Sequence, residues 1–182
     1  RKGYFSEGRA QLNTLLALPI EPALLPVRAM NLIGSSVLAL YQGDYDHAAS
    51  RADEALRVWQ HLNNQQGVGR ALLSLSAIAR FHDDYERAES LGNASLTAFR
   101  AVDDRWGIGH VLTNLGMVAW VQGDHTLGAE RYEEALAYKR EVGDRAGVFD
   151  ILLELGKGSC DSGDLERATI QTDPIKLRQI LT

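Results

Sequence analysis

Apolar residues recur along most of this chain at steps of three and four. Leu112, Leu115 and Ala119 mark one segment, and Leu127, Tyr132 and Leu136 mark the next. That spacing puts side chains on one face of an α-helix. The pattern then repeats with a period of 40 residues. One column holds Phe5, Tyr45, Tyr85, His125 and Leu165; three positions on stand Gly8, Ala48, Ala88, Gly128 and Ala168. Leu16, Leu56, Leu96 and Leu136 align, as do Leu32, Leu72, Leu112 and Leu152, followed by Leu75, Leu115 and Leu155. Gly67, Gly107 and Gly147 fall in register too. Each unit therefore predicts two helices, and the small-residue column predicts that the paired helices approach closely.

Between the two helices of a unit stands Gly43-Asp44, Asp83-Asp84, Gly123-Asp124 or Gly163-Asp164. The first residue suits the left-handed turn that ends a helix, and the aspartate suits the N-cap of the next. Asp83 serves in place of glycine because aspartate enters the left-handed region more readily than most residues. A helical hairpin of this size cannot bury its apolar face alone, so successive hairpins must stack. The expected fold is all-α, a solenoid of antiparallel helix pairs.

At these residues the chain resembles a tetratricopeptide repeat array of the long, 40-residue kind. "LTNLGMVAWVQGDHTLGAERYEEAL" supplies Leu112, Leu115, Gly116, Ala119, Gly128, Tyr132 and Ala135, and the preceding unit supplies Leu72, Leu75, Ser76, Ala79, Ala88 and Gly92. The resemblance implies a right-handed superhelical solenoid over residues 1–169. Residues 1–18 resemble the second helix of a partial unit, 24–63, 66–102 and 106–142 are complete units, and 146–169 begins another. "GYFSEGRAQLNTLLALP" and "REVGDRAGV" are similar to phrases in the sensor arms of bacterial MalT-like and LuxR-type STAND regulators. That likeness implies an arm that detects a signal or partner for an output domain elsewhere in a larger protein. In the tail, residues 170–182, "TDPIKLRQILT" resembles the start of a histidine kinase ATP-binding domain. A short capping helix with Pro174 in its first turn is the other reading.

Composition narrows the function. The 182 residues are 45% hydrophobic with a net charge of -5 and a pI near 5.5, which disfavours direct nucleic-acid binding. The single cysteine, Cys160, fits a reducing, cytoplasmic setting. The apolar runs "LLALPI" and "SSVLALY" look too short to span a membrane. Because the chain opens without Met and inside an amphipathic pattern, a longer parent protein is expected.

Catalytic constellations are missing from the sequence. "GKGS" at 156–159 lacks the first glycine of a phosphate loop, because Leu152 and Leu153 stand where it belongs. His47, His61, His82, His110 and His125 form no metal-ligand spacing. Acid pairs such as Glu133-Glu134 read as solvated faces, and the sequon at Asn93 has no secretory context. The expectation is a protein without enzyme activity, cofactor or metal.

In a tetratricopeptide array the first helix of each pair lines the concave face. Taking Leu72/Leu75, Leu112/Leu115 and Leu152/Leu155 as buried, the groove columns are Met30, Arg70, His110, Asp150; Ile33, Leu73, Thr113, Leu153; Gly34, Ser74, Asn114, Glu154; Val37, Ala77, Met117, Lys157; and Leu40, Arg80, Trp120, Cys160, with Tyr41 and Phe81 at the rim. These columns vary from unit to unit, as a binding face permits. Asn114 stands where many peptide-binding members of the family hold a ligand backbone, a role for an amide that donates and accepts; a solvated polar residue is its plain alternative. The family's carboxylate clamp is not matched, since Ile33 and Val37 occupy its positions in the first complete unit. Arg70 and Arg80 precede Asp150, Glu154 and Asp161 along the groove, which predicts a bipolar preference. Trp120 reads either as an apolar anchor or as packing against the next unit.

The leading expectation is an interaction module that binds a peptide, a protein segment or another domain of its parent chain, with no membrane partner. The competitors are a scaffold that oligomerises through the solenoid ends, a regulatory segment of a histidine kinase, and a small-molecule sensor.

Overall fold

The structure, a computed structural model, describes residues 2–16 and 21–161. The tail after residue 161 lies outside the described residues, and with it both readings of 170–182. Among the described residues there are eight α-helices and no strand. They are α1 (Lys2–Leu16), α2 (Leu25–Tyr41, entered through a 3-10 turn at Pro22–Leu24), α3 (Tyr45–His61), α4 (Gln65–Phe81), α5 (Tyr85–Arg100), α6 (Arg105–Val121), α7 (His125–Glu141) and α8 (Arg145–Asp161). The chain divides into two compact units, Arg1–Gly107 and the part from Ile108 onward.

One turn design punctuates the whole chain, and it recurs at half the sequence period. Gly43, Asn63, Asp83, Asp103, Gly123 and Gly143 all have positive φ, between 51° and 86°. The residue after each donates its backbone N–H to a carbonyl five positions back, as Asp44 does to Ala39 at 3.0 Å and Asp104 to Phe99 at 3.0 Å. This closes the preceding helix with a left-handed cap. The same residue then caps the next helix: Asp44, Asn64, Asp84, Asp104, Asp124 and Asp144 each accept a backbone N–H three residues on. A three-residue link thus satisfies donors and acceptors at both helix ends. The links inside pairs and between pairs are chemically alike, so side-chain packing must distinguish them.

In the first unit, Leu16, Ala29, Leu32, Ala55, Trp59 and Ala71 form one buried cluster, and Ala39, Ala48, Ala52, Leu75 and Ile78 form another. Burying each large apolar side chain contributes about 1.5–3 kcal/mol. The small-residue column does what its spacing implies. Ala48 and Ala88 are fully buried, and Ser36 and Ser76 of the partner helices donate to their carbonyls at 2.8 and 2.5 Å. Successive pairs are plugged by aromatic rings. Trp59 lies over Gly67, and Phe99 over Gly69 and Gly107, so closely that a Cβ on any of these glycines would collide with the ring. The 40-residue register of Gly67 and Gly107 follows from Trp59 and Phe99 standing 40 residues apart.

In the second unit the same joints are filled differently. Gly116 takes the place of Ser36 and Ser76, and Tyr132 takes the place of Ala52 and Gly92. A Cβ on residue 116 would stand 2.7 Å from the Tyr132 ring, so the large ring occupies the room that glycine leaves. Leu112, Leu115, Leu152 and Leu155 are buried. Leu72 differs from its column mates in being half-buried.

Pro22–Tyr41 forms a continuous helical stretch of 20 residues with mean hydropathy 1.5, long and apolar enough by that measure to cross a membrane. The short sequence runs understated this length because the 3-10 turn joins α2 end to end. Its Ala29, Leu32, Ser35, Ser36 and Ala39 face is used for packing within the helical array.

Candidate functional site

The site residues expected from the sequence fall on both units, and each unit is described by itself. In the first unit, the side of α2 and α4 that is not used for pairing carries large side chains into solvent. Met30, Val37 and Tyr41 on α2 are exposed at helical steps, and Phe81 closes α4. Between them on α4 are Arg70, Leu73, Ser74, Ala77 and Arg80, all half-buried. Ser74 Oγ donates back to the Arg70 carbonyl at 3.1 Å, a local bond that leaves its lone pairs available. The Arg80 guanidinium lies 4.5 Å from the centre of the Phe81 ring, within cation–π range.

Arg70 is held without a carboxylate. Its Nη1 points to the Met30 sulfur at 3.6 Å, and its guanidinium carbon is 6.0 Å from the centre of the Trp106 ring. Its Nε is shielded from water and has no acceptor among the described residues. By contrast Arg28, two residues before Met30 on α2 and turned toward α3, is paired with Glu54 at 2.8 Å. Trp106 is 47% exposed and was not among the expected groove residues. It stands in the first turn of α6, ahead of the columns that a buried-leucine frame selects.

In the second unit the expected residues behave less like a ligand face. Asn114 is only 7% exposed, so it is not a solvated polar residue; it sits one position before Leu115, close enough to the buried stripe to be drawn in. Trp120 packs within its own helix pair. Its ring lies 4.7 Å from His125 and 6.1 Å from Tyr132, centre to centre, and against Gly128. Met117 and Glu154 are half-buried, and Asp150 is exposed. The side chains of Lys157 and Cys160 lie outside those described.

His110 belongs to a charged cluster that the sequence reading did not anticipate. Lys139 is 3% exposed, and its Nζ lies 2.8 Å from Asp144 Oδ2 and 3.4 Å from His110 Nε2. His110 Nε2 is 3.6 Å from the same Asp144 oxygen. The Lys139 hydrogen bond, helped by the Gly147 N–H, holds the Asp144 carboxyl below its ordinary value against the opposing pull of burial. A signal existed: Lys139 stands in the register of Trp59 and Phe99, where a charge demands a partner.

A cavity of about 350 Å³ opens elsewhere in the first unit, lined by Tyr45, Asp46, Leu75, Ile78, His82 and Arg87 among others. Among the described residues no group of three His, Cys, Asp or Glu side chains is arranged to hold a metal ion.

No family model matches the chain, and no curated protein matches it. Solved structures do. BtubC from P. vanneervenii superposes with a TM-score of 0.77 at 20% identity, over 98% of this chain and 73% of that one. A Rap protein in complex with competence and sporulation factor gives a TM-score of 0.79 at 15% identity, over 89% of this chain and 45% of that one. The apo form of RapI gives 0.72 at 15% identity, over 97% and 52%. The chain spans about half the length of these two Rap proteins. At such identities the likeness concerns the fold, and the fold is an all-α, tetratricopeptide-like helical repeat.

Proposed function

We propose that this chain is a non-catalytic interaction module that binds a peptide or an extended protein segment on the exposed side of its first-position helices. The observation that carries the reading is the stripe on α2 and α4. There Met30, Val37, Tyr41 and Phe81 remain in solvent, while Leu32, Leu75 and Ile78 of the same helices are buried. Exposed apolar side chains gathered on one face are the usual mark of an interaction surface. The Rap protein complexed with competence and sporulation factor supplies a precedent for a partner held by this fold.

In this reading Arg70, Ser74, Ala77 and Arg80 contribute to the ligand face of the first unit. On the second unit His110, Met117, Asp150, Glu154 and Lys157 are its candidates, while Asn114 and Trp120 act mainly in packing. The sequence phrases shared with MalT-like regulators favour a sensing arm of a larger bacterial signalling or transcription-regulatory protein. The acidic charge and lone cysteine favour a cytoplasmic setting without direct nucleic-acid contact.

The test is affinity capture with quantitative mass spectrometry. The 182-residue chain is compared with a Val37→Asp/Phe81→Asp variant and with an Asn93→Lys variant at an exposed position of α5, all matched for helicity and melting. Partners retained by Asn93→Lys and lost by the stripe variant are expected. Equal capture by all three proteins would refute the assignment.

A further inference from the structure

We infer that Arg70 is the anchor of a carboxylate-binding subsite on the first unit, and that its ligand is a linear peptide carrying an acidic group beside an apolar side chain. The inference rests on the interaction-module reading and specifies its ligand.

An arginine that is only solvated needs no explanation, but Arg70 is positioned. The Met30 sulfur and the Trp106 ring hold the guanidinium from two different helices. Sulfur is a weak acceptor, and Nε has no acceptor at all among the described residues. The Nη donors of a planar guanidinium are thus pre-oriented and met by a weak acceptor, the state that a carboxylate oxygen pair complements best. Pre-orientation also lowers the entropy lost when a ligand docks.

The surroundings favour an anion over a cation. The whole chain has a net charge of -5, yet neither α2 nor α4 contains a single aspartate or glutamate. Arg28 on α2 is paired with Glu54 on α3, whereas the neighbours of Arg70 are a thioether and an indole ring. The acids of the first unit are placed on the second-position helices and in the turns, and the exposed face of α2 and α4 is kept free of them. Local positive charge on a negative protein selects among ligands more than it strengthens any one of them.

The flanks define the rest of the ligand. Met30 is 46% exposed and Trp106 47%, so each offers an apolar surface beside the guanidinium while still bracing it. Val37 lies two turns along α2 from Met30 and is exposed as well. Their positions accommodate a leucine, isoleucine or aromatic side chain next to the carboxylate. A free inorganic anion would leave those surfaces wet, and a basic peptide would meet Arg70 unfavourably.

The experiment is selection of the full 182-residue chain against two synthetic random hexapeptide libraries, one with free C-terminal acids and one amidated. The parent is run beside Arg70→Gln and Arg70→Lys, each checked for unchanged helicity and melting. Enrichment of Asp or Glu next to Leu, Ile, Phe or Trp is expected, with individual peptides binding at least tenfold more weakly to Arg70→Gln. Arg70→Lys should retain part of the affinity, since it keeps the charge and loses the fork. Raising salt from 50 to 500 mM should weaken the parent's binding more than the variant's. Enrichment from the amidated library assigns the carboxylate to a side chain, and enrichment only from the acid library assigns it to the peptide terminus. Peptides that show no acidic preference and bind Arg70→Gln equally well would overturn the inference while leaving the interaction-module reading intact. If neither library yields any binder, the carboxylate-peptide inference is overturned, and the interaction-module reading is decided by the affinity capture.

Discussion

Lys139 Nζ and Asp144 Oδ2 meet at 2.8 Å in a joint where the equivalent side chains, Trp59 and Phe99, are aromatic plugs. The ammonium is almost wholly withdrawn from water, and the carboxylate that neutralises it also caps α8. One joint has exchanged apolar filling for an ion pair. Such a pair stabilises through the cost of breaking it more than through its formation.

Lys139→Ala takes from Asp144 its nearest cation and removes a long packed stem, so a loss of about 2–4 kcal/mol is expected. Lys139→Phe combined with Asp144→Asn should behave differently, because the cap is kept and no carboxylate loses its cation. A ring at this register faces Gly147 as Phe99 faces Gly107, and the fold should stay within about 1.5 kcal/mol of the parent. Urea unfolding of both variants checks the contrast, which disappears if the residue is merely a surface lysine.

The pH dependence follows from the same pair. Asp144 is held below its ordinary value of 3.8 in the folded chain. The contribution of its carboxylate is therefore complete above the unfolded pKa and declines as pH falls through the folded one. The difference in urea midpoint between the parent and Asp144→Asn, which keeps the cap, should shrink as pH falls below about 4. A difference that grows below that pH would contradict the assignment.

Gly116 and Tyr132 form a size-compensated pair. Gly116→Ala places a methyl group 2.7 Å from the Tyr132 ring, and overpacking of this kind costs about 1–3 kcal/mol. Gly116→Ser combined with Tyr132→Ala recreates the Ser36 and Ala52 pairing of the first unit. The double variant should be more stable than the sum of the two single losses by at least about 0.5 kcal/mol, read from a double-mutant cycle.

The turns differ in how well their residues tolerate left-handed backbone. Gly43 has a φ of 76° with nothing within 4 Å of an added Cβ, so Gly43→Ala isolates the conformational cost, about 1–2 kcal/mol. Asn63→Gly, at a φ of 51°, should change stability by less than about 0.5 kcal/mol. Paired chemical denaturation curves decide, and equal effects at both positions would contradict the account of the turns.

The all-α helical repeat and the Gly-Asp turn were legible in the sequence. They depend on local signals, namely three-and-four spacing of leucines, a residue that accepts positive φ, and an aspartate or asparagine after it. Residues 63 and 103 use the same chemistry as residues 43 and 123, so even the half-period was present in the sequence, hidden by Asn63 and Asp103 standing where glycine is the familiar marker. What each column residue touches was not legible. Asn114 and Trp120 occupy face positions by spacing, yet a neighbouring buried stripe absorbs the one and the room at Gly128 admits the other. Lys139 was unremarkable in a charged helix until its ammonium was seen beside Asp144 and His110. Arg70 is a groove residue by spacing, but that the Met30 sulfur and the Trp106 ring flank it, while Arg28 meets Glu54, is decided by the packing. Periodicity is a property of the chain and needs no third dimension; whether a side chain is neutralised, plugged or left waiting depends on atoms that lie far away in sequence and meet only when the helices pack.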